Sequence, residues 1–249
     1  MISGLFGSIL RGRAAVIASV AVAAFTLSAH ADPIIVNGSF STTTNGYGEI
    51  GDNANTNVTG WTTNGYNFVF NTSNATTGVN GSAGSVALWT PGNGSNNGFT
   101  ASPNGGNFLA LDGAFEVGAV SQNVTGLTVG DQETITFYYA GAQQDGFTGA
   151  TTEGLTVSFG NDSDPLTTLD NVSHGFTGWQ EASVTFTASS TSEVLSFLAN
   201  GTPNGEPPMT LLDGVSISQS PVPEPGTLTL LGTGILGLGG MVRRRFLKA

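Results

Sequence analysis

Between residues 32 and 220 apolar and polar positions alternate in short runs, and this period of two predicts β-strands. The runs Thr134-Ile135-Thr136-Phe137-Tyr138 and Ser183-Val184-Thr185-Phe186-Thr187 show it most clearly. Each should place one face on a core and the other in water. No helical periodicity is present in this region, and clusters of Gly, Asn and Asp separate the runs. The predicted strands are Ile34–Phe40, Tyr66–Asn71, Ser85–Trp89, Asn107–Leu111, Ala119–Thr125, Glu133–Ala142, Leu155–Phe159, Trp179–Ala188, Glu193–Ala199 and Thr210–Ser218.

Strands at this spacing predict an all-β fold, an antiparallel β-sandwich of the jelly-roll kind. Residues 71–84 and 91–106 are rich in Asn, Gly and Ser, and we expect them to form long surface loops that are available to ligands. The composition supports a folded domain, because 39% of the 249 residues are hydrophobic and 15 are Phe. The absence of cysteine excludes disulfides, thiolate zinc sites and a Cys nucleophile.

Charge is distributed very unevenly along the chain. All six basic residues lie near the two ends, at Arg11, Arg13, Arg243, Arg244, Arg245 and Lys248, whereas all 17 acidic residues lie between Asp32 and Glu224. The central domain therefore has no side chain to neutralise nucleic-acid phosphates or to grip a phosphate ligand, which argues against nucleic acid as a partner. A divalent cation is the natural partner for such a domain, and solubility alone is the simpler explanation of its charge.

The N-terminus has the layout of a signal peptide, and residues 1–31 are predicted to be one. Arg11 and Arg13 precede an apolar stretch from Ala14 to Leu27. Ala29-His30-Ala31 then forms a small-x-small cleavage site, so the mature chain should begin at Asp32. An uncleaved anchor helix is the alternative, although the apolar stretch is short for a membrane span.

Residues 221–249 combine three features in a fixed order. Pro223-Glu224-Pro225 comes first, an uncharged apolar run from Gly226 to Val242 follows, and Arg243-Arg244-Arg245 closes it. The run is just long enough to cross a bilayer as a transmembrane helix, and the arginines would stay on the cytoplasmic side.

This order resembles the PEP-CTERM sorting signal of Gram-negative bacteria. The resemblance implies processing by an exosortase, which would recognise Pro223, Glu224 and Pro225, with Arg243 to Arg245 as the stop signal. It also implies transient anchoring in the inner membrane, then a place at the cell surface or in the extracellular matrix, linked to exopolysaccharide and biofilm. A plain tail anchor is the alternative.

The central domain, residues 32–220, resembles galactose-binding-like jelly rolls. The resemblance lies in Val36-Asn37-Gly38-Ser39-Phe40, in Thr59-Gly60-Trp61 and in the closing run Leu211 to Ile217. This family includes carbohydrate-binding modules and many wall or matrix proteins. Members often carry an acidic residue after the opening Phe as part of a structural calcium site, but Ser41 stands at that position here.

Catalytic signatures are weak, and we predict no catalytic residue. His174 is the only histidine outside the signal peptide, and no G-x-S-x-G elbow surrounds any serine. A second histidine for a His-based metal site is missing. A carboxylate pair for glycoside hydrolysis stays open only because acids are numerous.

Calcium is the one cofactor that the sequence suggests. Asp162, Asp164 and Asp213 are the candidate ligands, since carboxylate oxygens suit Ca²⁺. No EF-hand spacing is present, so solvated acids explain the same pattern. For sugar binding, the candidates are Trp89, Tyr66 and Tyr47, because sugar rings stack on exposed aromatic rings. Burial in the core is the alternative for each, and Trp61 and Trp179 are expected to be core residues.

Three functions are compatible with these features. We predict a non-catalytic exported surface or matrix protein that is sorted through its C-terminus. A carbohydrate-binding module that recognises a cell-surface polysaccharide is the alternative, and a glycoside-active enzyme ranks third.

Overall fold

The computed structural model describes residues 33–51, 54, 56–220, 232 and 234. The predicted cleavage residues Ala29 and Ala31, the PEP motif Pro223 to Pro225, the arginine cluster and all of the apolar run except Gly232 and Gly234 lie outside the described residues. In the described part of the chain, no helix is both long and apolar enough to cross a bilayer.

The elements form a nearly all-β domain. In chain order they are β1 (Thr43–Thr44), β2 (Gly48–Ile50), β3 (Asn57–Val58), β4 (Thr62–Thr63), β5 (Asn67–Asn71), α1 (Thr72–Thr77), β6 (Val79–Gly81), β7 (Gly84–Val86), a 3-10 turn (Pro91–Asn93), β8 (Asn107–Asp112), β9 (Val120–Thr125), β10 (Gln132–Gln143), β11 (Thr151–Phe159), β12 (Asp162–Pro165), β13 (Leu169–Asn171), β14 (Gln180–Thr187), β15 (Ser192–Thr202) and β16 (Pro208–Ser220).

Two antiparallel sheets make up the sandwich. Sheet 1 has the order β14-β10-β16-β8-β5-β2, and sheet 2 has the order β12-β11-β15-β9-β4, with β13 also paired to β11. Of the nine strands from β8 to β16, all but β13 form two four-stranded groups, β8-β16-β10-β14 in sheet 1 and β9-β15-β11-β12 in sheet 2. Apart from β11, β12 and β13, which stay in sheet 2, successive strands cross between the sheets as in a jelly roll, which confirms the predicted fold class.

Two hydrophobic clusters hold the domain together. The first lies between the sheets and includes Phe137, Phe197 and Trp61. The second lies on the outer face of sheet 1, where Phe68, Phe70 and Phe108 meet residues of the segment 72–106. That segment contributes the buried side chains Ala75, Val79, Val86 and Leu88. The loops predicted at 71–84 and 91–106 are therefore largely a cover over one sheet, and their polar residues form its rim.

Two local predictions are wrong. Residues 34–40 contain no strand, and residues 36–39 form a turn, because Asn37 and Phe40 have φ values of 54° and 53° and the Phe40 N–H donates to the Asn37 carbonyl. The Asn-Gly pair at 37–38 favours a turn more strongly than the alternation favours a strand. A helical turn, α1, interrupts the loop at 71–84; Asn71 and Asn74 cap it reciprocally, and Ala75 is its buried residue.

Candidate functional site

A polar cleft opens at the β2 edge of sheet 1, where residues 45–51, 54 and 56 face the hairpin of β6 and β7. Its volume is about 220 Å³. The lining residues are Asn45, Tyr47, Glu49, Ala54, Thr56, Asn80, Gly81 and Ser82. Amide, hydroxyl, carboxylate and aromatic groups thus line the same cleft.

Left-handed backbone conformations build one wall of this cleft. Asn45 and Gly46 have φ values of 60° and 82°, which Asn and Gly tolerate better than other residues. Gly48 follows with φ 151°, and a Cβ atom there would lie 3.0 Å from the Asn80 carbonyl oxygen. The glycine therefore allows β2 to approach the hairpin, and Tyr47 is left on the outside with 40% of its surface exposed.

Glu49 ties the two walls together. Its Oε2 atom accepts a hydrogen bond from the Ser82 backbone N–H in the hairpin turn. The negative charge of Glu49 also affects Tyr66. Burial is the largest factor that raises the pKa of the Tyr66 hydroxyl, and the negative charges of Glu49 and Asp112 raise this pKa further. The Glu49 carboxylate is thus held in place at a half-exposed position between the walls.

The three predicted sugar-contacting aromatics occupy different environments. Tyr47 lines the cleft. Tyr66 is only 4% exposed and packs edge-on against Phe68, with ring centroids 4.6 Å apart. It offers no free face to a sugar, because the hydrophobic neighbours that follow it in β5 draw its ring into the second cluster.

Trp89 lies away from the cleft, beside the loop that follows β10. Its indole stacks on the imidazole of His174, with centroids 4.0 Å apart and 28° between the planes. The indole N–H donates to the Phe147 carbonyl oxygen at 2.9 Å. Trp89 is half-buried, so one part of its ring is committed to His174 and the rest reaches solvent. Trp61 is a core residue as expected, and Trp179 is partly buried against the second cluster.

The three predicted calcium ligands are not brought together. Asp162 and Asp164 lie exposed on β12, at the edge of sheet 2. Asp213 is buried in β16 of sheet 1, where its Oδ1 atom accepts hydrogen bonds from the Gly214 N–H and the Asn104 amide. No group of three or more His, Cys, Asp or Glu side chains with the spacing of a metal site occurs among the described residues.

Buried carboxyl groups are a feature that the sequence pattern did not predict. Glu153 is fully buried in β11, and burial raises its pKa to about 7, although hydrogen bonds from Thr151 and Asn171 oppose that rise. Burial likewise raises the pKa of Asp213 to about 6, against hydrogen bonds from Ser102, Gly214 and Asn104. The sequence did contain a signal, because Glu153 lies an even number of positions from the inward residues Leu155, Val157 and Phe159. The predicted strand begins at Leu155, four residues after the observed start of β11 at Thr151, and so leaves Glu153 out.

Two family models match this chain. The molecule is a jelly-roll β-sandwich with a polar edge cleft and an attached C-terminal segment. Residues 67–218 match the family described as "Protein of unknown function (DUF642)", and the chain belongs to that family. Residues 221–245 match the PEP-CTERM protein-sorting motif, which confirms the predicted resemblance and marks the chain as an exported protein.

Individual relatives are more distant. The chain is 30% identical over 203 residues to halomucin from Haloquadratum walsbyi; the match covers 80% of this chain and 2% of halomucin, so the chain spans only a very small part of that relative. Among solved structures, TmCBM61 in complex with β-1,4-galactotriose is similar at 14% identity and TM-score 0.40, with 75% of this chain and 97% of that chain covered. The CBM22-1 xylan-binding domain of Paenibacillus barcinonensis Xyn10C is similar at 15% identity and TM-score 0.39, with coverage of 79% and 100%.

Proposed function

We propose that this chain is a non-catalytic surface or matrix protein that an exosortase processes at its C-terminal signal and that then holds extracellular polysaccharide in the edge cleft. The observation that carries the proposal is the meeting of an exposed Tyr47 ring with Glu49 and the Asn80 amide in one open cleft. An aromatic ring packs against the apolar face of a sugar, while amide and carboxylate groups bond its hydroxyls. Accumulation in a biofilm would follow from such binding.

The charge of the domain restricts the polysaccharide that it can hold. No Lys or Arg lies between residues 14 and 242, and Glu49 places a negative charge inside the cleft. An anionic polymer would meet repulsion without any compensating ion pair. We therefore expect a neutral polysaccharide to be the ligand.

A catalytic role finds no support around the one histidine of the described domain. The His174 ring is stacked on Trp89, and the Ser95 hydroxyl donates to the His174 backbone carbonyl at 2.8 Å. The serine therefore bonds the main chain, whereas a nucleophile would have to bond the imidazole. This arrangement is consistent with a binding protein.

The Tyr47→Ala variant tests the binding site. We expect its affinity for a soluble neutral xylan or galactan to fall roughly tenfold, because a ring contact is worth about 1–1.5 kcal/mol. Affinity gel electrophoresis of the processed protein, recovered from an exporting host, would measure the change. Tyr47→Phe keeps the ring and should bind nearly as wild type, and alginate should not retard any of these proteins at low salt.

Phe147→Ala is the matched control, because Phe147 is 36% exposed and lies beside Trp89 instead of the cleft. Its affinity should equal that of the wild type. If Phe147→Ala lost binding while Tyr47→Ala kept it, the sugar site would lie at Trp89 and the cleft proposal would be refuted.

Processing at both termini predicts the mass of the mature protein. The processed protein recovered from the exporting bacterium should lack residues 1–31 and the segment after the Pro223-Glu224-Pro225 motif, with its three arginines. Intact-mass spectrometry of the cell-surface and medium fractions measures this directly. A full-length tail in both fractions would contradict processing by an exosortase.

A further inference from the structure

The outer face of sheet 2 is almost free of charge, although the protein is strongly acidic. We call it the hydroxyl face and define it by the side chains that point away from the core on the paired strands. They are Thr62, Ser121, Asn123, Thr125, Ser192, Val194, Ser196, Leu198, Asn200, Thr202, Thr152, Thr156, Ser158, Ser163 and Pro165. Three carboxylates border this face: Asp170 lies at one corner opposite Thr152, and the exposed Asp162 and Asp164 alternate with Ser163 and Pro165 on the edge strand β12, pointing to its other side.

Apolar side chains lie at the centre of the hydroxyl face. Strand β15 runs between β11 and β9, and its outward residues include Val194, 50% exposed, and Leu198, 37% exposed. Hydroxyl and amide groups of the neighbouring strands surround them. An apolar centre with a polar rim is the usual composition of a protein–protein contact surface.

The polar groups of the hydroxyl face are already held in place by their neighbours. The Thr152 and Thr202 hydroxyls are 2.8 Å apart, and the Ser192 hydroxyl donates to the Asn123 amide oxygen at 3.0 Å. The Asn200 amide reaches the Thr156 hydroxyl at 3.3 Å. Because hydrogen bonds already hold these side chains in place, binding a partner would require little further loss of side-chain entropy.

Electrostatics identify the kind of partner. Two copies of an acidic protein without central Lys or Arg repel each other through most of their surfaces, and burying an unpaired carboxylate between them would be costly. The hydroxyl face avoids both penalties. A charged partner would find no charge to pair with there, and a sugar would find no aromatic ring among the residues that define it.

We propose that the hydroxyl face binds the hydroxyl face of a second copy of this chain. Strands β9, β11, β12 and β15 have 6, 9, 4 and 11 residues, which at about 3.3 Å per residue and about 4.8 Å between strands gives a face of about 480 Å². The contact would bury roughly 500 Å² on each copy, less than the roughly 800 Å² of a standard interface and of the size of a weak, reversible contact. Self-association goes beyond polysaccharide binding, since the edge cleft belongs to the other sheet.

Sedimentation velocity of the processed wild-type protein, between about 1 and 500 µM, tests the proposal. We expect a reversible dimer that becomes stronger when NaCl is raised from 0.05 to 0.5 M, since salt screens the remaining repulsion. Val194→Glu places a charge at the centre of the face and should weaken association at least tenfold. Val129→Glu makes the same change at a 59% exposed valine in the turn between β9 and β10 and should leave it unaltered.

A cysteine at position 196 locates the contact. Since the chain contains no cysteine, Ser196→Cys introduces a single thiol at the middle of β15, where a two-fold axis would bring it close to its own copy. Mild oxidation should yield a covalent dimer for Ser196→Cys and not for a Thr128→Cys control. A monomer throughout the concentration range, or equal effects of Val194→Glu and Val129→Glu, would overturn the proposal.

Discussion

Replacing Glu153 by glutamine is expected to stabilise the domain at pH 8 by about 3 kcal/mol and to change its stability little at pH 4.5. Glu153 is fully buried, and burial raises its pKa from 4.5 to about 7. Its Oε1 atom accepts hydrogen bonds from Thr151 and Asn171, but Oε2 has no hydrogen-bond partner among the described residues. The charged form is therefore poorly compensated where the side chain lies, and a neutral amide of the same shape avoids that penalty.

The direction of the pH effect follows from proton binding. A carboxyl group whose pKa is higher in the folded state holds its proton more tightly there than in the unfolded state. Its contribution to stability is complete below about pH 4.5 and is lost as the pH rises through about 7. The rise of this pKa from 4.5 to about 7 corresponds to slightly more than about 3 kcal/mol, at about 1.36 kcal/mol for each pKa unit. Asp213 acts in the same direction between about pH 4 and 6.

Thermal unfolding from pH 4.5 to pH 8 measures the effect. The wild type should lose stability toward pH 8, and Glu153→Gln should lose clearly less. The variant should keep the part of the pH dependence that comes from Asp213, Asp112 and Glu133, because burial raises the pKa of each of these carboxyl groups as well. Glu181→Gln, at an exposed position of β14, is the control and should follow the wild-type profile. Parallel pH profiles for wild type and Glu153→Gln would show that Glu153 is not the group responsible.

The Gly38→Ala variant is expected to lose about 3 kcal/mol of stability, at the upper end of the usual cost of overpacking. A Cβ atom at Gly38 would lie 1.9 Å from the Val215 carbonyl oxygen, which belongs to the backbone of β16. The Val215 N–H donates to the Gly38 carbonyl at 3.0 Å, so the turn and the strand are joined at this point. The added methyl group would push the turn away and with it Phe40, which is fully buried against Trp61.

Gly130→Ala separates the steric effect from the conformational effect of the added methyl group. Gly130 has φ 95°, and a Cβ atom added there would have no other atom within 4 Å, so only backbone strain of about 1–2 kcal/mol is expected. Urea unfolding of both variants gives the comparison. Equal losses would mean that the contact between Gly38 and β16 does not contribute to stability.

The candidate site was only partly predictable. Tyr47 was identified from residue type, because an aromatic ring in a run of Asn and Gly has few apolar neighbours to bury it. Its partners Glu49 and Asn80 were not, since the cleft forms only when β2 approaches a hairpin that lies about 30 residues further along the chain. Residue type equally predicts Tyr66 and Trp89 as sugar contacts, and tertiary packing gives each of them other contacts.

Sequence alone determined the strand pattern, the jelly-roll class, the sorting motif and the separation of charge, because each depends on local periodicity, on composition or on residues in a fixed order. Only the tertiary structure decided that residues 72–106 cover sheet 1, that Glu153 is buried without a cation, and that an uncharged face is left on sheet 2. The physical reason is that burial and contact depend on which distant strands become neighbours. The alternation of apolar and polar residues determines which side chains share a face of each strand. It does not determine which distant residues that face contacts.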